Sequence, residues 1–110
     1  CCALLLCLCD VNGLQADGPT AGVLNIEPLV PKWESFGWRV LRVNGNDVAS
    51  VLEAFDALPK DSSRPAIILF DTKPGKGVSF LETREKAHFL NIKEEEWAIA
   101  RQELDGGVGR

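Results

Sequence analysis

The residues best suited to chemistry fall in a few short stretches of the chain. The first is Asp10-Val11-Asn12-Gly13, which closes an apolar run. The amide oxygen of Asn12 is a hard, neutral donor, and backbone carbonyls in a tight turn can add others. Magnesium takes such oxygens, usually together with carboxylates and substrate phosphates. Asn-Gly is more often simply a turn, so the motif alone leaves both readings open. The second stretch is Lys73-Pro74-Gly75-Lys76-Gly77. It suggests a phosphate loop but is not a Walker motif, because Phe70 and Gly77 stand where that motif needs Gly and Ser or Thr. Its glycines can still let a ligand approach the backbone closely. His88 is the sole histidine and has no cysteine or serine partner in a recognisable nucleophile motif. Glu94-Glu95-Glu96 reads as a solvated helix start that favours the dipole.

All four cysteines (Cys1, Cys2, Cys7 and Cys9) lie at one end, so no disulfide can cross-link the domain. A reducing cytosol suits this usage better than a secreted framework. Their spacing could suggest zinc, but the later ligands of a closed tetrahedral site are missing. The run CCALLLCLC lacks the basic flank, starting Met and cleavage site of a signal peptide. It is also too short to span a membrane as a helix. A buried strand from Ala3 to Cys9, with the thiols packed as small apolar groups, is the simpler expectation.

The elements that must position these residues alternate. The chain has 110 residues, enough for one core and one domain. Its 45% hydrophobic and 25% charged content is that of a globular protein. A net charge of −4 gives no basic patch for nucleic acid. Pro28 is placed to open a helix carrying Leu29, Trp33 and Phe36, which Gly37 can end in a left-handed cap. Trp38 to Val43 reads as a strand, and Asp47 as an N-cap. Val48, Val51, Leu52, Phe55 and Leu58 then form one inward apolar stripe. Ala66 to Phe70 is an unbroken apolar run, as in strands covered on both faces. Val78 to Lys93 has no clear periodicity. Glu94 to Leu104 reads as a helix with Trp97, Ala100 and Leu104 inward, leaving residues 1–104 structured and 105–110 a frayed tail. Strand, helix, strand, helix, strand implies a parallel sheet with right-handed crossovers. The turns bearing Asn12, Asn46 and Gly75 then share the edge where open α/β sheets bind ligands.

DVNGLQADGPT, PLVPKWESFGWRVLRVNGND and DTKPGKGVSFLE, in that order, resemble the thiamine-diphosphate-binding domain of transketolase, and most closely its separately encoded N-terminal subunit. The resemblance runs from Leu4 to about Trp97. It implies an α/β fold, part of the three-layer parallel sheet that binds thiamine diphosphate. It further implies that the diphosphate is held by magnesium, with Asn12 ligating through its side chain and Leu14 through its backbone carbonyl. Gly13 would keep the turn tight, Pro74 and Gly75 would pass close to the cofactor, and His88 would stand near the diphosphate and the reacting centre. Two departures accompany these matches. The family's Gly-Asp-Gly segment, with its metal-binding Asp, would lie upstream of Cys1, so the chain reads as a truncated part of the domain. His-Phe-Leu also stands at His88, where the family commonly has His-Gly-Lys.

The implied activity is transfer of a two-carbon ketol unit between sugar phosphates of the pentose phosphate pathway, in the cytoplasm, with no nucleic acid or membrane involved. The implied partner is the C-terminal, pyrimidine-binding subunit or domain, whose glutamate activates the cofactor, in a dimeric assembly. Without it the isolated chain is expected to be inactive. Two alternatives stay open. One is another thiamine-diphosphate enzyme, such as deoxyxylulose-phosphate synthase or a 2-oxo-acid dehydrogenase component, although NGLQADGPT favours transketolase. The other is a non-catalytic remnant.

Overall fold

The computed structural model describes residues 5–59, 63–83 and 91–107. In chain order its elements are β1 (Leu6–Val11), β2 (Leu14–Gln15), β3 (Gly18–Pro19), α1 (Thr20–Val23), α2 (Leu29–Ser35), β4 (Arg39–Asn44), α3 (Val48–Asp56), β5 (Ala66–Asp71), α4 (Ser79–Glu82) and α5 (Glu94–Gly107). β1, β5 and β4 form a parallel sheet in that spatial order, while β2 and β3 make a small antiparallel hairpin.

β5 sits at the centre because its sequence can be covered everywhere. Ile67, Ile68 and Leu69 are fully buried, and Leu69 lies in register with Cys9 on one side and Arg42 on the other. Neighbouring strand positions point to opposite faces. Val51 of α3 shares a depression with Phe70, whereas Glu27, at the approach to α2, pairs with Arg42, in register with Leu69. The two helices therefore cover opposite faces of the sheet. The architecture is the expected α/β arrangement, a parallel sheet with helices on both sides.

The ends of α2 and α3 follow their local signals. Gly37 has φ +82°, and its N–H donates to the Glu34 carbonyl at 2.9 Å. The Asp47 carboxylate accepts from the Ala49 and Ser50 N–H groups at 3.2 and 3.4 Å. Both hydrogen bonds, with that from Ser50 Oγ, hold the Asp47 carboxyl below the usual carboxylate range, the hydroxyl contributing most.

Several expectations need correction. β1 spans Leu6–Val11 and so runs past Cys9; the expected start at Ala3, with Leu4, lies outside the described residues. It is not buried: it pairs with β5 on one flank among the described residues, and Leu8 is 54% exposed. β4 starts at Arg39, one residue late, because Trp38 instead packs edge-on against Trp33, with ring centroids 4.9 Å apart. The α3 stripe is only partly inward. Ala54 is buried, but Val48 and Leu52 are 73% and 59% exposed, because the stripe is wider than the surface that receives it. On α5, Ala100 is buried as expected, but Trp97 and Leu104 are 44% and 50% exposed. α5 also continues through Asp105 to Gly107, beyond the expected end at Leu104. The segment without clear periodicity contains the single turn of α4, and residues 84–90 of it lie outside the described residues.

Candidate functional site

Parallel pairing brings the ends of β1, β4 and β5 to one edge, and Asn12, Asn46 and Gly75 follow those ends. A cleft there, about 280 Å³, is lined by residues that include Asp10, Asn12, Gly13, Leu14, Thr20, Asn25 and Glu27. The turn that leaves β1 shapes it. Gly13 takes φ +72°, and a Cβ there would meet nothing within 4 Å, so the turn faces open space. The Gly13 carbonyl accepts the Thr20 N–H at 2.8 Å, which folds the hairpin over the cleft.

Asn12 is held from both ends of its amide. Its Oδ1 accepts the Leu14 N–H at 2.9 Å, and its Nδ2 donates to Asp10 Oδ2 at 3.0 Å. The other Asp10 oxygen accepts from the Thr72 hydroxyl, just beyond β5. The Thr72 N–H donates to the Val11 carbonyl at 3.2 Å, so the two strand ends are laced together. Asn12 Oδ1 keeps a second lone pair, and Leu14, whose backbone carbonyl is a further neutral oxygen, lines the same cleft. These neutral oxygens fit a divalent cation whose charge is met by a diphosphate. Among the described residues, no three His, Cys, Asp or Glu side chains are gathered to hold a metal ion by themselves.

The loop after β5 is built differently. The Lys73 N–H donates to Asn46 Oδ1 at 2.6 Å, and Lys73 Nζ pairs with Glu82 at 2.7 Å. The Gly77 N–H donates to Glu82 Oε1 at 2.9 Å, and Lys76 Nζ lies 3.8 Å from the same oxygen. These partners, Lys73 first, hold the Glu82 carboxyl below the usual range. Gly75 has φ +68°, and a Cβ there would sit 2.3 Å from Leu81 Cβ. This glycine thus serves close packing against α4. Pro74 and Gly75 share the sheet edge with Asn12 but do not line its cleft.

A third group meets the cleft only through Glu27. The Arg42 guanidinium donates to both Asp71 oxygens at 2.8 to 3.1 Å and to Glu27 Oε2 at 3.2 Å. Its hydrogen bond holds the Glu27 carboxyl down, helped by the Leu29 N–H, and both carboxylates push the guanidinium pKa up, Asp71 most. Sequence reading missed this group, because its members lie 15 and 29 positions apart and no local pattern joins them. It also missed Thr72 and Gly45, where a Cβ would come within 2.6 Å of Phe70 and Thr72. His88 lies outside the described residues. Cys7 and Cys9 are free thiols, and burial, then Cys7 and Asp10, push the Cys9 thiol up, away from reactivity.

The family model described as "Transketolase, thiamine diphosphate binding domain" matches residues 3–107. The chain belongs to the transketolase family. Among curated relatives, it is 52% identical over 105 residues to an uncharacterised transketolase family protein of Sinorhizobium fredii, covering 94% of this chain and 38% of that protein. It is 35% identical over 101 residues to a 6-deoxy-6-sulfo-D-fructose transketolase subunit of a Clostridium species, covering 92% of this chain and 37% of the relative. The chain therefore spans less than two-fifths of the length of these transketolase relatives. The transketolase of Leishmania mexicana superimposes with a TM-score of 0.61 at 18% identity, over 93% of this chain and 18% of that one, which shows a shared fold. Among the described residues of this transketolase-family chain, no helix is long and apolar enough to cross a membrane.

Proposed function

We propose that this chain is the diphosphate-holding part of a transketolase that moves a two-carbon ketol unit between sugar phosphates. The observation that supports this reading is the turn after β1, which sets Asn12 in the lining of a cleft at the carboxyl edge of a parallel sheet. Asn12 Oδ1 and the Leu14 carbonyl would hold magnesium, and Gly13 would keep the approach clear for the diphosphate. Thiamine diphosphate, when bound, supplies the carbanion chemistry. Pro74 and Gly75 would form a backbone wall at the same edge. The role of His88 beside the diphosphate is proposed from the resemblance alone.

The described residues that line the cleft would bind and orient the cofactor. We therefore infer that turnover needs a C-terminal, pyrimidine-binding subunit or domain, in a dimeric assembly. The exposed apolar residues of α3 and α5 support such a partner. The pure chain with thiamine diphosphate and magnesium should show no transfer from a ketose phosphate, and turnover by it would contradict the need for a partner. Binding is the direct test. Calorimetric titration with thiamine diphosphate should give heat only when magnesium is present, and heat that survives chelation would contradict the magnesium-held site.

A further inference from the structure

We propose that Asp10 is the positioning residue that turns the Asn12 amide oxygen toward the cation. This rests on the magnesium-holding role proposed for Asn12. An asparagine amide is nearly symmetric in shape, yet only its oxygen can ligate a metal. The structure sorts the two ends by opposite demands. An ionised carboxylate only accepts, so Asp10 Oδ2, 3.0 Å away, takes an Nδ2 proton. A backbone N–H only donates, so Leu14 selects Oδ1 at 2.9 Å. Asp10 is itself anchored, because its other oxygen accepts from the Thr72 hydroxyl across the strand ends. Its position between the cleft and the depression beside Val51 and Phe70 suits a brace.

Donation to a carboxylate also polarises the amide and places more negative charge on its oxygen, while the proton stays on the nitrogen. Partners of this kind behind a metal ligand commonly carry 10- to 100-fold in affinity, on the order of magnitude. Direct ligation by Asp10 fits less well. Both of its oxygens already have partners, and one faces the nitrogen end of the amide, away from the lone pairs a cation would use.

The test is a set of titrations of magnesium thiamine diphosphate into a restored full-length protein that carries this segment and the upstream metal-binding Asp, followed by calorimetry and by the Asn12 side-chain amide signals in nuclear magnetic resonance. Asp10→Ala should weaken magnesium-dependent binding about 10-fold and, before any ligand is added, shift the Asn12 Nδ2 protons. Asp10→Asn should restore most of the affinity, since its amide oxygen can still accept from Asn12 and its nitrogen can donate to Thr72. If Asp10→Asn is as weak as Asp10→Ala, the charge itself matters and the positioning role is overturned. In an Asn12→Ala background, Asp10→Ala should add nothing; additive losses would overturn the proposal. Thr72→Val, which leaves Asp10 in place, should give a smaller loss in the same direction, and it carries the test if Asp10→Ala does not fold. An unchanged affinity in Thr72→Val would then count against the brace. Asn12→Ala alone separates the two claims: if it binds as wild type, the magnesium site fails; if it weakens binding while Asp10→Ala does not, only the role of Asp10 fails.

Discussion

The turn after β1 and the loop after β5 leave the same edge of the same sheet, yet they use their polar groups in opposite ways. The β5 loop looks richer in chemistry, with two lysines and two glycines in five residues. Its groups are committed internally: Lys73 and the Gly77 N–H are on Glu82, and Gly75 gives its missing Cβ to Leu81. The β1 turn looks plainer. Yet it keeps empty space over Gly13 and a braced amide oxygen beside it. A glycine at positive φ can therefore mark either close packing inside the chain or room left outside it. What a Cβ would meet separates the two.

The strongest way to break this contrast is to substitute the two glycines. Gly75→Ala meets both a left-handed backbone and a contact at 2.3 Å. It should cost about 3 kcal/mol, read as a fall in the thermal midpoint. Gly13→Ala has only the backbone penalty and should cost about 1 kcal/mol. Equal losses would mean that the space around these glycines does not distinguish them. Leu14→Ala should change magnesium-dependent cofactor affinity less than Asn12→Ala does, because the backbone carbonyl remains; a titration showing the reverse order would sharpen attention on packing under the turn. The smallest effect should come with acid. Glu82 has a lowered folded pKa, so its contribution is complete above the ordinary carboxylate range, near about 4.3, and disappears as pH falls through the lower folded value. Glu82→Gln should flatten that part of the stability profile, and an unchanged profile would show that Lys73 and Gly77 do not depend on the carboxylate.

Much of the frame is readable from residues alone, because its causes are local. The run at Ile67, Ile68 and Leu69 requires cover on both faces, and the central strand supplies it. Asp47 opens one helix and Gly37 ends another through bonds within a few residues. The candidate turn is equally local, an asparagine and a glycine at the end of a strand. What escapes is non-local. Arg42 gathers Asp71 and Glu27 from two other segments, and Asp10 meets Thr72 across 62 positions. The exposed side of α3 escapes for another reason. Periodicity shows that Val48 and Leu52 share a face, but not whether this chain provides anything to cover it. The two-residue strands of the hairpin over the cleft are too short for any alternation to register.

The central claim is that the Asn12 turn, and not the lysine-glycine loop, holds the cation and its diphosphate. The most direct measurement compares magnesium-dependent thiamine diphosphate binding by a restored full-length protein that carries this segment and the upstream metal-binding Asp, as wild type, Asn12→Ala and Lys76→Met, each shown to be folded. We expect Asn12→Ala to bind about 10-fold more weakly, equivalent to about 1.4 kcal/mol, and Lys76→Met to bind nearly as wild type. Equal affinity in wild type and Asn12→Ala, with the loss falling instead on Lys76→Met, would contradict it.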